Sequence, residues 1–195
     1  LQPDGARARL RAAIATAPQL EEAYEALGAL EAEQGRYEEA VRWWTAGIDQ
    51  DRGFVRHTIG RGRTYADWAL HERDDPVRRV QLLRIALKDL DEATRLMPRL
   101  ADAWMRRGYA LTLFAYFIRA GGEGDPLLAD AIDSFTRAVE LDGENAQAWL
   151  QRGGARVNRA SGRRVRGVET GTLLEEAIAD FAEALRRNPR LDTAW

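Results

Sequence analysis

Apolar residues recur along this chain at two distances. Locally, AIDSFTRAVEL (131–141) and AIADFAEAL (177–185) place them at i, i+4 and i+7 with charged residues between. That is the one-sided stripe of a helix buried on one face. Over a longer distance, the same positions return every 45 or 46 residues. Ala40, Ala86, Ala131 and Ala177 form one column, and Trp44, Leu90, Phe135 and Phe181 a second. Gly47, Ala93, Ala138 and Ala184 form a third, and Gly62, Gly108 and Gly153 a fourth. Pro98, Gly143 and Pro189 form a fifth, each followed six residues later by Trp104, Trp149 or Trp195. Columns kept in register over about 150 residues mark an internal repeat.

Each repeat reads as two helices. The first begins near the tryptophan and carries the glycine four residues later. The second carries the alanine, aromatic and small-residue columns and stops at Pro or Gly. A glycine inside a helix costs about 1 kcal/mol relative to alanine, so a recurring one implies two helices in close contact. The phasing gives a half unit over 1–19, full units over 20–53, 54–99, 100–144 and 145–190, and the start of a further unit at 191–195. Both ends fall inside a repeat, which leads us to expect a longer native chain. Gly28 and Ala40 are 12 residues apart, whereas the matching intervals in the later units are 24, 23 and 24. Each later unit therefore carries an insertion of 11 or 12 residues between its helices. The expected result is longer helices and a longer loop, forming a ridge. Helix starts after the insertions are read at Asp75-Pro76, at Asp125-Pro126, and at a capping box, Thr172 to Glu175.

One polar column accompanies the apolar ones. Arg61, Arg107 and Arg152 each precede a column glycine, and Asp89, Ser134 and Asp180 follow 27 or 28 residues later. In the first unit, Leu27 and Trp43 hold these two places. Joint replacement by an apolar pair favours a contact across the two helices of one unit, Arg61 with Asp89 and Arg152 with Asp180, over a pairing with the next unit that would set Asp89 against Arg107 and Ser134 against Arg152. Arg107 would then face Ser134 and need a further acceptor, such as Asp102 or a backbone carbonyl.

Tyr24, Leu27, Gly28, Gly35, Tyr37, Ala40, Trp44 and Gly47 resemble the tetratricopeptide repeat (TPR) pattern. Trp104 to Gly108 and Trp149 to Gly153 resemble its bacterial variant with an Arg-Gly pair, here in extended repeats. The resemblance implies an all-α fold, a right-handed superhelical solenoid of antiparallel helix pairs running as one array over 1–195. It also implies a scaffold or adaptor that binds a protein or peptide. In this family the first helices line a concave groove, which here would be lined by Glu22, Glu25, Arg56, Ile59, Arg63, Asp102, Met105, Tyr109, Thr112, Gln147, Leu150 and Val157. Arg56 and Arg63 could clamp a carboxylate, and Met105, Tyr109 and Leu150 could form an apolar pocket. The Asn/Lys clamp of the members that bind chaperone tails is not visible.

Composition narrows the remaining classes. The 195 residues include 29 basic and 31 acidic ones, for a net charge of -2 that does not point to nucleic acid. There is no cysteine, and His57 and His71 are the two histidines, so thiolate chemistry and His-rich metal sites are excluded. No nucleotide-binding, hydrolase or metalloprotease motif is present. We therefore expect no enzyme activity, no cofactor and no metal. No apolar run is long enough to insert in a membrane, and a cytoplasmic location is the expectation.

Two surfaces remain as candidates. Phe114, Phe117 and Ile118 end the apolar run YALTLFAYFI (109–118). Either other inserts bury them, through Trp68, Leu70, Val80, Leu83, Leu173 and Leu174, or they form a patch for a partner or for self-association. Arg156, Arg159, Arg163, Arg164 and Arg166 crowd a stretch read as a loop. They are either a solvated basic segment or an anion-binding site. Two other functions stay open: a regulatory TPR segment of a larger enzyme, such as a bacterial kinase or transferase, and an anion or nucleic-acid binder through these arginines.

Overall fold

The computed structural model describes residues 3–51, 53–118, 124–162 and 167–194. Among the described residues the helices are α1 (Pro3–Thr16), α2 (Glu21–Glu33), α3 (Tyr37–Gln50), α4 (Val55–His71), α5 (Pro76–Leu96), α6 (Ala101–Phe117), α7 (Gly124–Leu141), α8 (Ala146–Ala160) and α9 (Val168–Arg187). A short 3-10 helix, Pro189–Ala194, follows. No strand occurs among these residues. The chain divides into two compact units, Leu1–Met97 and Pro98–Trp195. In the first, α2 pairs with α3 and α4 with α5, while α1 packs on α2, α3 on α4, and α2 lies beside α4. In the second, α6 pairs with α7 and α8 with α9, while α7 packs on α8 and α6 lies beside α8.

The insertions mainly lengthen helices. The helices α2 and α3 have 13 and 14 residues, against 17 and 21 for α4 and α5 and 15 and 20 for α8 and α9. Asp75 caps α5 as read from the sequence: its carboxylate accepts the Val77 and Arg78 amides, both at 2.9 Å, and satisfies two otherwise unpaired donors. The capping box at Thr172 is corrected. Thr172 lies inside α9 and donates to the Val168 carbonyl at 3.2 Å. The helix starts earlier because Gly167, at φ 68°, takes the left-handed turn that side chains disfavour.

The glycine and aromatic columns are the two sides of one contact. A Cβ on Gly62 would stand 2.9 Å from Leu90, one on Gly108 2.7 Å from Phe135, and one on Gly153 2.6 Å from Phe181. Gly28 lies in the same way against Trp44. Each glycine thus lets the second helix of its hairpin lay a large side chain on bare backbone. Between α3 and α4, Gly47 faces the buried His57 ring. In the second unit the matching positions are Ala138 and Ala148, both buried in one cluster. Where the second unit sets two methyl groups against each other, the first removes one and uses the space for an imidazole.

The polar column meets as predicted. Arg61 Nε donates to Asp89 at 2.8 Å and its second nitrogen at 2.9 Å, a bidentate pair. Arg152 reaches Asp180 at 2.6 Å. Arg107 donates to Ser134 at 2.6 Å, while Asp102 pairs with Arg106 at 3.1 Å instead. Arg61 also reaches back to Thr45 at 3.2 Å, and Arg152 to Thr136 at 3.4 Å, so the same arginine ties its hairpin to the preceding helix. The hydrogen bond to Asp89 raises the Arg61 pKa above its ordinary value, outweighing burial, which lowers it. The aromatics six residues after each helix stop hold that turn. Tyr24 Oη donates to the Pro18 carbonyl at 3.0 Å, Trp104 Nε1 to Pro98 at 3.0 Å, and Trp149 Nε1 to Gly143 at 2.9 Å.

Two neighbouring glycines separate packing from propensity. Gly153→Ala should destabilise the protein by about 1–3 kcal/mol, because Phe181 must move. A methyl group on Gly154 would meet nothing within 4 Å, so Gly154→Ala should stabilise it by about 0.5–1 kcal/mol. Urea unfolding of both variants measures the two signs. By the same assay, Asp89→Ala should cost about 3 kcal/mol, because it strands a partly buried guanidinium. Adding Arg61→Leu should recover most of that loss.

Candidate functional site

The residues read as groove-lining fall into two groups, one in each unit. In the first unit they lie on α2 and α4. Arg56 is exposed, 3.9 Å from Glu25 across the two helices. Arg63, two turns further along α4, is exposed and pairs with Asp67 at 3.4 Å. Exposed pairs of this kind contribute about 0–1 kcal/mol, so either arginine can exchange its partner for a ligand carboxylate at little cost. Ile59 is corrected: at 6% exposure it belongs to the core and offers nothing to a ligand. Its column position follows α4 inward because Gly60 and Gly62 draw that face against Trp44 and Leu90.

In the second unit the group lies on α6 and α8. Met105, Tyr109, Leu150 and Val157 are half-buried and Gln147 is exposed. Met105 packs against the Ala138, Val139 and Ala148 cluster and receives the Asn145 side-chain amide at 3.8 Å on its sulfur. Asn145 also caps α8 by accepting the Gln147 and Ala148 amides at 3.1 and 3.2 Å. A single residue therefore sets the start of α8 and the position of Met105. This face combines partly open apolar surface with Asp102 and Gln147 at its edge.

The apolar run ends on helix. Phe114 and Phe117 lie in the last turns of α6, half-buried with Ile118. Tyr116, between them, is 63% exposed and meets Phe117 edge-on at 5.1 Å. Of the apolar residues on the other inserts, Leu83 and Leu173 are buried, whereas Leu70 and Leu174 remain about two-fifths exposed, at 42% and 41%.

The arginine stretch is corrected in part. Arg156 and Arg159 are helical residues of α8, not loop residues. Arg156 pairs with Asp180 and with Glu176, the latter at 3.1 Å. Arg159 meets Asp125 and Glu169, both at 3.0 Å. Carboxylates from α7 and α9 neutralise both cations, so neither is open to an external anion. Arg163, Arg164 and Arg166 lie outside the described residues. Sequence reasoning also missed a buried carboxylate: Glu31, 1% exposed, is held by Arg7 at 2.7 Å and by Arg36. Its only signal was an acidic residue on the apolar side of α2.

No group of three or more metal-ligating side chains forms among the described residues, and no helix there is long and apolar enough to cross a membrane. No family model matches the sequence, and no curated protein is similar to it. Solved structures do match. The thermophilic TPR protein TTC0263 of Thermus thermophilus aligns with a TM-score of 0.74 at 20% identity, over 98% of this chain and 86% of that one. MamA of Desulfovibrio magneticus RS-1 aligns at 0.66 and 17% identity, over 97% and 88% of the two chains. A further MamA crystal structure aligns at 0.62 and 18%, over 98% and 91%. These likenesses establish the fold: the chain has the all-α, TPR-type architecture of a helix-pair solenoid.

Arg159 bridges the start of α7 to α9, so Arg159→Gln should lower the thermal midpoint by about 2–4 °C, equivalent to roughly 1 kcal/mol. The difference should shrink in about 1 M salt, where the Debye length falls to roughly 3 Å. A calorimetric scan at two salt concentrations reads both.

Proposed function

We propose that this chain is a non-catalytic scaffold that binds a protein or peptide on the faces formed by neighbouring first helices. The observation that carries the reading is the α6–α8 face. There Tyr109 and Leu150 keep partly open apolar surface on helices that pack against α7 and α9. A rigid scaffold presents such a surface without an ordering cost of its own, which favours binding. In the first unit the exposed Arg56 and Arg63 add cations for an acidic stretch of the ligand. The TPR-type fold supports the reading at the level of architecture, because a fold hosts many functions and the site decides.

Capture of partners by the intact chain, followed by mass spectrometry, tests it. Tyr109→Glu with Leu150→Glu should weaken a captured partner at least tenfold while circular dichroism shows unchanged helicity. Arg56→Glu with Arg63→Glu should weaken an acidic partner by a similar factor. A partner that binds both double variants as tightly as the native chain would remove these faces from the reading.

A further inference from the structure

The turn-holding aromatic is missing from one hairpin. Tyr24, Trp104 and Trp149 each clamp the turn six residues before them. The α4/α5 hairpin has Thr58 in that place. Its entry is anchored differently: Phe54 packs on His57 with ring centres 4.7 Å apart, and His57 is buried beneath Gly47. The space of the absent ring is therefore not needed to hold the turn. A cavity of about 660 Å³ opens there, wholly within the first unit, with Ile48, Thr58, Arg61, Leu87, Asp89 and Leu96 among its walls. That volume lies in the range of roughly 300–1,000 Å³ of ligand pockets.

The α8/α9 hairpin shows what such a space holds when it is filled. Thr58, Arg61, Asp89 and Leu96 correspond to Trp149, Arg152, Asp180 and Arg187, each 91 residues later. There the Trp149 ring lies against the Arg152 guanidinium at 4.7 Å and the Arg187 guanidinium at 4.6 Å. Asp180 holds Arg152 as Asp89 holds Arg61. The first unit thus retains the carboxylate and one arginine of this arrangement, has aliphatic Leu96 in place of the second arginine, and lacks the ring. A planar aromatic against a fixed guanidinium gains both apolar burial and cation–π attraction. The cavity rim carries both signs: Asp91 and Glu92 stand there with Arg84, Lys88 and Arg95, and Glu92 pairs with Arg95 at 2.6 Å. Arg84 and Lys88 are exposed and are the rim cations left for a carboxylate next to the ring.

We propose that the α4/α5 cavity is a receptor slot for a tryptophan side chain of a partner protein, with an acidic group beside it on Arg84 and Lys88. The partner as the source of the indole rests on the scaffold reading. The slot itself is tested with a small probe and stands or falls separately from the α6–α8 face.

N-acetyltryptophan titrated into the isotope-labelled intact chain should give saturable amide shifts at Thr58, Arg61 and Leu96 in the millimolar range. N-acetylleucine should give none. Thr58→Trp fills the slot with the chain's own ring and should abolish the shifts. Leu96→Arg, at a position 40% exposed, restores the second cation of the α8/α9 arrangement and should tighten the probe several-fold. Arg84→Glu with Lys88→Glu should weaken it several-fold. The proposal is overturned if N-acetyltryptophan gives no saturable shifts at these residues, if N-acetylleucine shifts them equally, or if the shifts survive in Thr58→Trp. Should that variant not fold, a Leu96→Arg chain that binds the probe no tighter overturns it as well.

Discussion

The contact on which the structure depends is a bare stretch of helix backbone beneath a large side chain. In each of the four hairpins, a glycine on the first helix faces Trp44, Leu90, Phe135 or Phe181 on the second. The glycine costs its helix about 1 kcal/mol of propensity. Full burial of the facing side chain contributes about 1.5–3 kcal/mol, so the exchange is favourable only if the helices approach closely. That approach then sets the other contacts. It brings the arginine before the glycine within bidentate reach of a carboxylate on the neighbouring helix, and it lets the same arginine touch a threonine of the preceding helix. The tryptophan one turn earlier reaches the turn carbonyl as part of the same geometry.

Because one geometry recurs, each hairpin can vary only where a second change compensates. His57 fits where its counterparts are alanine because Gly47 stands opposite it. Thr58 is tolerated where its counterparts are aromatic because Phe54 and His57 take over the anchoring of α4. The first departure is closed and silent. The second leaves a cavity, because the replacement anchor occupies a different place from the ring it replaces. A departure of that second kind opens surface without disturbing the packing between helices.

The parts of this architecture that were legible in the sequence are those that repeat. Arg61 could be paired with Asp89 because each occupies a column that changes together with the other, and the recurring glycine marked a close helix contact without naming Phe135 as what fills it. Contacts made once had no such signal. Arg156 and Arg159 looked like an open basic cluster, since Asp125, Glu169, Glu176 and Asp180 come from two other helices at unrelated spacings. Ile59 was read as facing outward by counting along α4, but glycines on either side of that face turn it into the core. The start of α9 was read at a capping box, whereas a glycine with positive φ set it. The residues expected to line a groove were the hardest to place, because positions on an open face are not held to the repeat.

The charges divide in a way that bears on recognition. Arg61, Arg152 and Arg156 are partly buried and paired with carboxylates that are nearly inaccessible. Recruiting one of them to an external anion would leave Asp89 or Asp180 buried and unpaired, a loss of roughly 3–5 kcal/mol. That exceeds what a single new ion pair at the surface returns, about 0–1 kcal/mol. What these arginines leave available is the face of the planar group, which Arg152 lays on the chain's own Trp149 while its edge stays bound to carboxylate. Edge-on pairing with a ligand's charge is left to the loosely held cations at the surface, such as Arg56, Arg63, Arg84 and Lys88. If the proposed binding faces and slot hold, the two classes of arginine divide the work: paired arginines offer only their planar faces to a ring, and the loosely held cations are the ones that can meet a carboxylate.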